Sequence, residues 1–127
     1  MSHFTSIKTT ITEQKHLLQA LRSLGYQPEE GRVFVTGFAG AQTRVEIRVP
    51  TKNPAYDLGF RKKGGTFELV ADWYGLSGID RTTLLQQLNQ SYAYHATREK
   101  LAEQGFSLAS EQVQEDGAIH LVLRRVT

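Results

Sequence analysis

The sequence predicts an α+β fold, in which two βαββ-like halves place two helices on one face of a mostly antiparallel sheet of about seven strands. Three observations predict it. Runs of alternating, β-branched residues are separated by glycine and proline turns; two segments carry leucines at helical spacing and each stops at a glycine; and Leu21-Arg22-Ser23-Leu24-Gly25-Tyr26 matches Leu101-Ala102-Glu103-Gln104-Gly105-Phe106 in residue type, each ending a helix and leading to a hairpin. Residues 1–127 are read as a single domain.

In chain order, Thr5 to Ile11 alternates, with Thr5, Ile7, Thr9 and Ile11 on one face, and reads as a first strand. Thr12 is the expected N-cap of a first helix carrying Leu17, Leu18, Leu21 and Leu24, which ends at Gly25 because glycine takes the left-handed C-terminal conformation at little cost. Arg32 to Phe38 and Arg44 to Val49 form a hairpin closed by Pro50 and Pro54. Tyr56 to Lys62 and Thr66 to Tyr74 form a second hairpin around Gly64-Gly65, a pair suited to a tight two-residue turn. A longer helix runs from Thr82 to Gln104 and stops at Gly105; strands at Phe106 to Gln114 and Ala118 to Val126 follow, with Val113 opposite Ile119.

The first half is then the strand at 5–11, the first helix and the 32–49 hairpin; the second is the strand at 66–74, the longer helix and the last hairpin, with 56–62 inserted between them. A tight Gly64-Gly65 turn pairs Lys63 with Thr66, Arg61 with Glu68, Phe60 with Leu69, Leu58 with Ala71 and Asp57 with Asp72. Leu58, Phe60, Phe67, Leu69, Ala71 and Trp73 fall on the helix-covered face, and Asp57, Arg61, Glu68, Asp72 and Tyr74 on the other, which is expected to be the more open one.

Composition narrows the function classes. The chain has 39% hydrophobic and 22% charged residues, near the globular average, and its apolar runs are far shorter than a membrane span requires. Met1-Ser2-His3-Phe4 lacks the basic-then-apolar pattern of a signal peptide, so a soluble protein of the cytoplasm or an equivalent stroma is expected. With no cysteine there is no disulfide, thiolate metal site or cysteine nucleophile. The net charge of +2 is spread along the chain and does not point to nucleic acid. His3, His16, His95 and His120 share no ligand spacing, so neither a metal nor a cofactor is assigned, and no nucleophile elbow or phosphate-binding loop is present.

Met1-Ser2-His3-Phe4-Thr5, Asp57-Leu58-Gly59-Phe60-Arg61, Leu69-Val70-Ala71-Asp72-Trp73-Tyr74-Gly75 and Gln90-Ser91-Tyr92-Ala93-Tyr94 together resemble the uncharacterised family of cyanobacteria and red-algal plastids called hypothetical chloroplast open reading frame thirty-five. The resemblance continues through Asp116-Gly117-Ala118-Ile119, Leu121 and Arg124-Arg125, and so covers essentially the whole chain. Tyr74 stands where members more often carry a second tryptophan, and Val126 where they carry an aromatic. The resemblance implies a cyanobacterial or stromal protein linked to photosynthetic upkeep, and it brings no agreed activity, cofactor or catalytic residue.

The candidate binding residues are Asp57, Arg61, Lys62, Lys63, Glu68, Asp72 and Tyr74. Arg61 opposite Glu68 is a favourable cross-strand pair, whereas Asp57 opposite Asp72 is a like-charge pair that something must neutralise: a divalent cation or shared proton on the functional reading, Arg44, Arg48 or Arg61 on the structural one. Arg61-Lys62-Lys63 form a cationic hairpin tip, which either meets an anionic partner or discourages edge-to-edge aggregation. Trp73 reads as a core anchor, and of Tyr92 and Tyr94, separated by about 200° around the helix, one is expected in the core. Two functions follow: a non-catalytic protein-binding or adaptor module docking a protein partner on the charged open face beside Tyr74, or a small-molecule or metal-dependent enzyme using Asp57 and Asp72 as ligands or as acid and base.

Overall fold

In the computed structural model, residues 3–115 and 117–125 are described. The elements are β1 (Thr5–Lys8), α1 (Gln14–Ser23), β2 (Glu29–Thr36), β3 (Gln42–Val49), β4 (Leu58–Lys63), β5 (Thr66–Ala71), α2 (Arg81–Glu103), β6 (Phe106–Val113) and β7 (Ile119–Arg125), with short 3-10 turns at Phe38–Gly40 and Trp73–Gly75. The α+β class and the two helices agree with the sequence reading. The sheet of about seven strands does not: β1-β5-β4-β3-β2 form a five-stranded antiparallel sheet, and β6-β7 form a separate hairpin.

The reason lies in β5. It would have to play for the second half the part β1 plays for the first, but β1 and β4 already occupy both its edges, so no edge of β5 is left for the last hairpin. The two βαββ-like halves are therefore alike in local sequence and unlike in pairing. The last hairpin holds the expected register, with Val113 opposite Ile119, and lies against α2, where the Tyr94 hydroxyl donates to Glu111 Oε2 at 2.9 Å. Asp116, read with Glu115 and Gly117 as its turn, lies outside the described residues, as does Val126.

Both glycine stops behave as expected. Gly25 and Gly105 take φ of 92° and 87°, and the Tyr26 N–H reaches back to the Leu21 carbonyl at 3.0 Å, closing the end of α1. Thr12 is not the N-cap: Glu13 holds that position and makes no side-chain capping bond. Its N–H instead donates to the Tyr92 hydroxyl of α2 at 3.0 Å, so the core-facing tyrosine of the pair caps the other helix.

The main core forms between the helices and one sheet face. Leu17, Leu21, Leu84 and Leu88 from α1 and α2 pack on Ile47, Leu58, Phe60, Phe67 and Leu69, with Trp73 partly buried beside them. A second, smaller cluster, Val35, Val45 and Val70 with Phe4 and Val33, occupies the opposite side, because Val70 alternates away from Leu69 and Ala71. Gly59 makes room for it: a Cβ there would lie 2.1 Å from Val35 Cγ2 and 3.1 Å from Val45. The face expected to be open is thus partly covered by the β2-β3 hairpin.

Candidate functional site

The Gly64-Gly65 turn forms with φ of 63° and 91°, and the register it sets is the expected one from Lys63 opposite Thr66 to Leu58 opposite Ala71. The ladder ends there. Asp57 and Asp72 lie one residue beyond it, and β5 stops at Ala71 rather than continuing to Tyr74. Both carboxylates are buried, at 1% and 2% exposure, and Glu68 at 4%, which corrects their placement on an open charged face.

Each buried aspartate holds backbone at or just beyond the end of a strand. Asp57 Oδ2 accepts the Thr36 N–H at 3.0 Å while the Asp57 N–H donates to the Thr36 carbonyl at 3.1 Å, and Asp57 Oδ1 accepts from Arg48 Nη2 at 3.0 Å. The same guanidinium donates through Nη1 to both oxygens of Glu29 at 2.9 Å, and its pKa is raised, first by the bond to Asp57. Of the arginines considered, Arg48 neutralises Asp57. Asp72 is held differently: Oδ2 accepts the Phe38 N–H at 2.8 Å and Oδ1 the Tyr74 N–H at 3.1 Å. Backbone dipoles rather than a cation stabilise it. The two aspartates therefore fasten residues 36 and 38, where the chain leaves β2 and turns toward β3.

Glycines permit this approach. Gly37 has extended φ, but a Cβ on it would come within 2.9 Å of Asp72 Cβ and 3.1 Å of the Phe4 ring. At Gly75 a Cβ would strike the Tyr56 ring at 2.2 Å. Burial raises the Tyr56 pKa, and the nearby Asp72 charge adds to the shift. Ala39 sits at φ 56°, ψ 29°, a left-handed conformation that costs a β-carbon residue about 1–2 kcal/mol.

Above Asp72 the fastened turns present an aromatic edge. Phe38 and Tyr74 meet edge to face at 5.7 Å, and His3 meets Phe38 at 4.7 Å. Phe38 is 41% exposed and Tyr74 75%. Tyr74 was among the sequence candidates and Phe38 was not; the available signal was an aspartate two residues before Tyr74, the spacing of a side-chain-capped turn.

The remaining candidates do not join this edge as a single site. Arg61 pairs with Glu68 at 3.3 Å and with Ser6 at 3.0 Å. Lys62 lies over the Phe67 ring at 5.6 Å and its backbone N–H donates to Glu46 at 3.0 Å. Among the described residues the Lys63 ammonium has no partner. His16 and His95 lie near the α1-α2 seam, bonded to Gln19 and Glu99 and to Ser23 respectively, while His3 is at the aromatic edge. No group of three or more potential ligands among the described residues is placed to hold a metal, and no described helix is long and apolar enough to cross a membrane.

The sequence matches the family described as "Protein of unknown function (DUF1257)" over residues 20–122. It is 33% identical to "Uncharacterized protein ycf35" of Cyanophora paradoxa, 34% to that of Guillardia theta and 32% to that of Pyropia yezoensis, with 98% of this chain and 98% of each relative covered. No solved structure matches. With agreement over almost its whole length, the chain belongs to this uncharacterised ycf35 family, as the resemblance in its segments implied.

Proposed function

We propose that the protein is a non-catalytic protein-binding module that docks a partner protein on the Phe38-Tyr74 edge, in the cytoplasm of a cyanobacterium or the stroma of a plastid, in support of photosynthetic upkeep. The observation that carries this reading is a pair of exposed aromatic rings held in place by one buried carboxylate. Isolated exposed apolar side chains are ordinary, but here Asp72 spends both oxygens fixing the backbone beneath two rings that touch each other. Aromatic side chains dominate interface energetics, and a surface ordered before binding loses less entropy when the partner arrives. The strained Ala39 adjoins Phe38, in keeping with a conformation selected for what it presents.

The enzyme reading has less support, since the four oxygens of Asp57 and Asp72 already accept from Thr36, Arg48, Phe38 and Tyr74. The test is a crosslinking pull-down from an extract of the source cells with wild-type protein and with the Phe38→Ala, Tyr74→Ala double variant. The expected result is a specific protein retained by the wild type and lost from a variant that melts as the wild type does. Equal capture by both, or no specific capture, refutes it.

A further inference from the structure

A cleft of about 450 Å³ lies outside the aromatic edge, between the β3-β4 connection, the turn that follows Gly75 and the segment that leaves α1. Its volume is within the range of small-ligand pockets. Tyr26, Leu76 and Ile79 supply apolar surface, and Lys52, Ser77 and Gly78 supply polar groups. Its frame is fixed: Thr51 Oγ1 donates to the Tyr56 carbonyl at 2.7 Å, Asn53 Nδ2 to the Gly75 carbonyl at 2.9 Å, and the N–H groups of Leu76 and Ile79 close the turn onto Trp73 and Leu76.

What the frame leaves over is a set of donors. Among the described residues the Lys52 ammonium, the Ser77 hydroxyl and the N–H groups of Ser77 and Gly78 have no hydrogen bond or ion pair. The lining contains one cation and no acid. The nearest acid in sequence, Asp80, is turned into α2: its Oδ2 accepts from Thr83 N at 3.0 Å and Thr83 Oγ1 at 2.6 Å, bonds that lower its pKa. One positive charge with no acid in the lining, unpaired N–H and O–H donors and an apolar wall suit an anion carried on an apolar body. The three hydrogens of the Lys52 ammonium, the Ser77 hydroxyl and the two amides together exceed the roughly four lone-pair sites of a carboxylate and match the three terminal oxygens of a phosphate ester better.

We propose that this cleft binds a small phosphate monoester, its phosphoryl group held by Lys52, Ser77 and the Ser77 and Gly78 amides, and its apolar body against Tyr26 and Ile79. The experiment is a titration of the full chain with phenyl phosphate, inorganic phosphate and benzoate, followed through backbone amide resonances. Phenyl phosphate is expected to shift Ser77, Gly78 and Asn53 selectively and to bind more tightly than either of the other two, since each lacks half of the recognised group. Lys52→Gln, at an exposed position, is expected to weaken phenyl phosphate about tenfold or more while amides elsewhere keep their wild-type positions, as loss of a charged hydrogen bond would. Absence of selective shifts, benzoate binding as tightly as phenyl phosphate, or a Lys52→Gln variant that binds as the wild type does would each overturn the proposal.

Discussion

Replacing Asp72 with Asn separates two accounts of the buried aspartate pair. If Asp57 and Asp72 merely tolerate each other, removing one charge relieves repulsion and stability stays level or rises. The structure predicts the reverse. Asp72 accepts one N–H on each oxygen, from Phe38 at 2.8 Å and Tyr74 at 3.1 Å, and is 2% exposed. An amide keeps one acceptor and turns an NH2 donor toward the other N–H, so one charge-assisted bond is lost and a buried backbone donor is left unpaired. That costs about 1–3 kcal/mol. The opposing relief is small, because Asp57 has its own counter-charge in Arg48 at 3.0 Å. For a chain of this length each kcal/mol lowers the melting temperature by about 4 °C. Denaturant melts give the free energy, and amide spectra should show the largest changes at Phe38 or Tyr74. A variant as stable as the wild type, with those two resonances in place, would refute the account of Asp72 as a backbone fastener.

Two further outcomes are expected. Trp73→Ala should cost about 3 kcal/mol in denaturant melts, the lower end for a large aromatic because the side chain is only partly buried, while Trp73→Phe should cost about 1 kcal/mol or less, since it removes an indole N–H buried without a partner. The His95 pKa is lowered, chiefly by burial and then by His16 and Arg98, with Glu111 opposing, so the unfolded chain binds this proton more readily: stability should fall as pH drops through about 6.5, and by less in His95→Gln, with parallel wild-type and variant curves counting against it.

Much of the local structure was legible in the sequence because it depends on neighbours in sequence. Gly64-Gly65 sets the β4-β5 register through the conformations only glycine takes cheaply, and Gly25 and Gly105 stop their helices for the same reason. The leucine stripes of α1 and the start of α2 identified the core-facing residues. What escaped the reading depends on which edges and faces are already taken. Alternation shows that Val70 and Leu69 point to opposite sides, but not that β2-β3 would cover the Val70 side, nor that β1 would take the edge of β5 that the last hairpin needed. Asp57 and Asp72 were read as surface charges because carboxylates are almost never fully buried without partners. Their partners are Arg48 and the backbone N–H groups of Thr36, Phe38 and Tyr74, and backbone donors carry no mark in the sequence.

The burial of these two carboxylates also decides which feature of this region is available to another molecule. A metal ligand or general base must point a lone pair at something that arrives from solvent. Asp57 and Asp72 are 1% and 2% exposed beneath the segment from Thr36 to Phe38, so reaching them requires that segment to lift, and lifting it breaks the bonds the carboxylates themselves make to Thr36 and Phe38. A reaction at the pair would consume the interactions that form the site. Binding at the aromatic edge makes no such demand, since Phe38 and Tyr74 are exposed while the same bonds are intact. The acidic pair and the aromatic edge are in this sense one construction, with the charge inside holding the rings outside, and on the proposed reading a substitution at Asp72 would act on partner binding through the placement of Phe38 and Tyr74 rather than through any contact of its own.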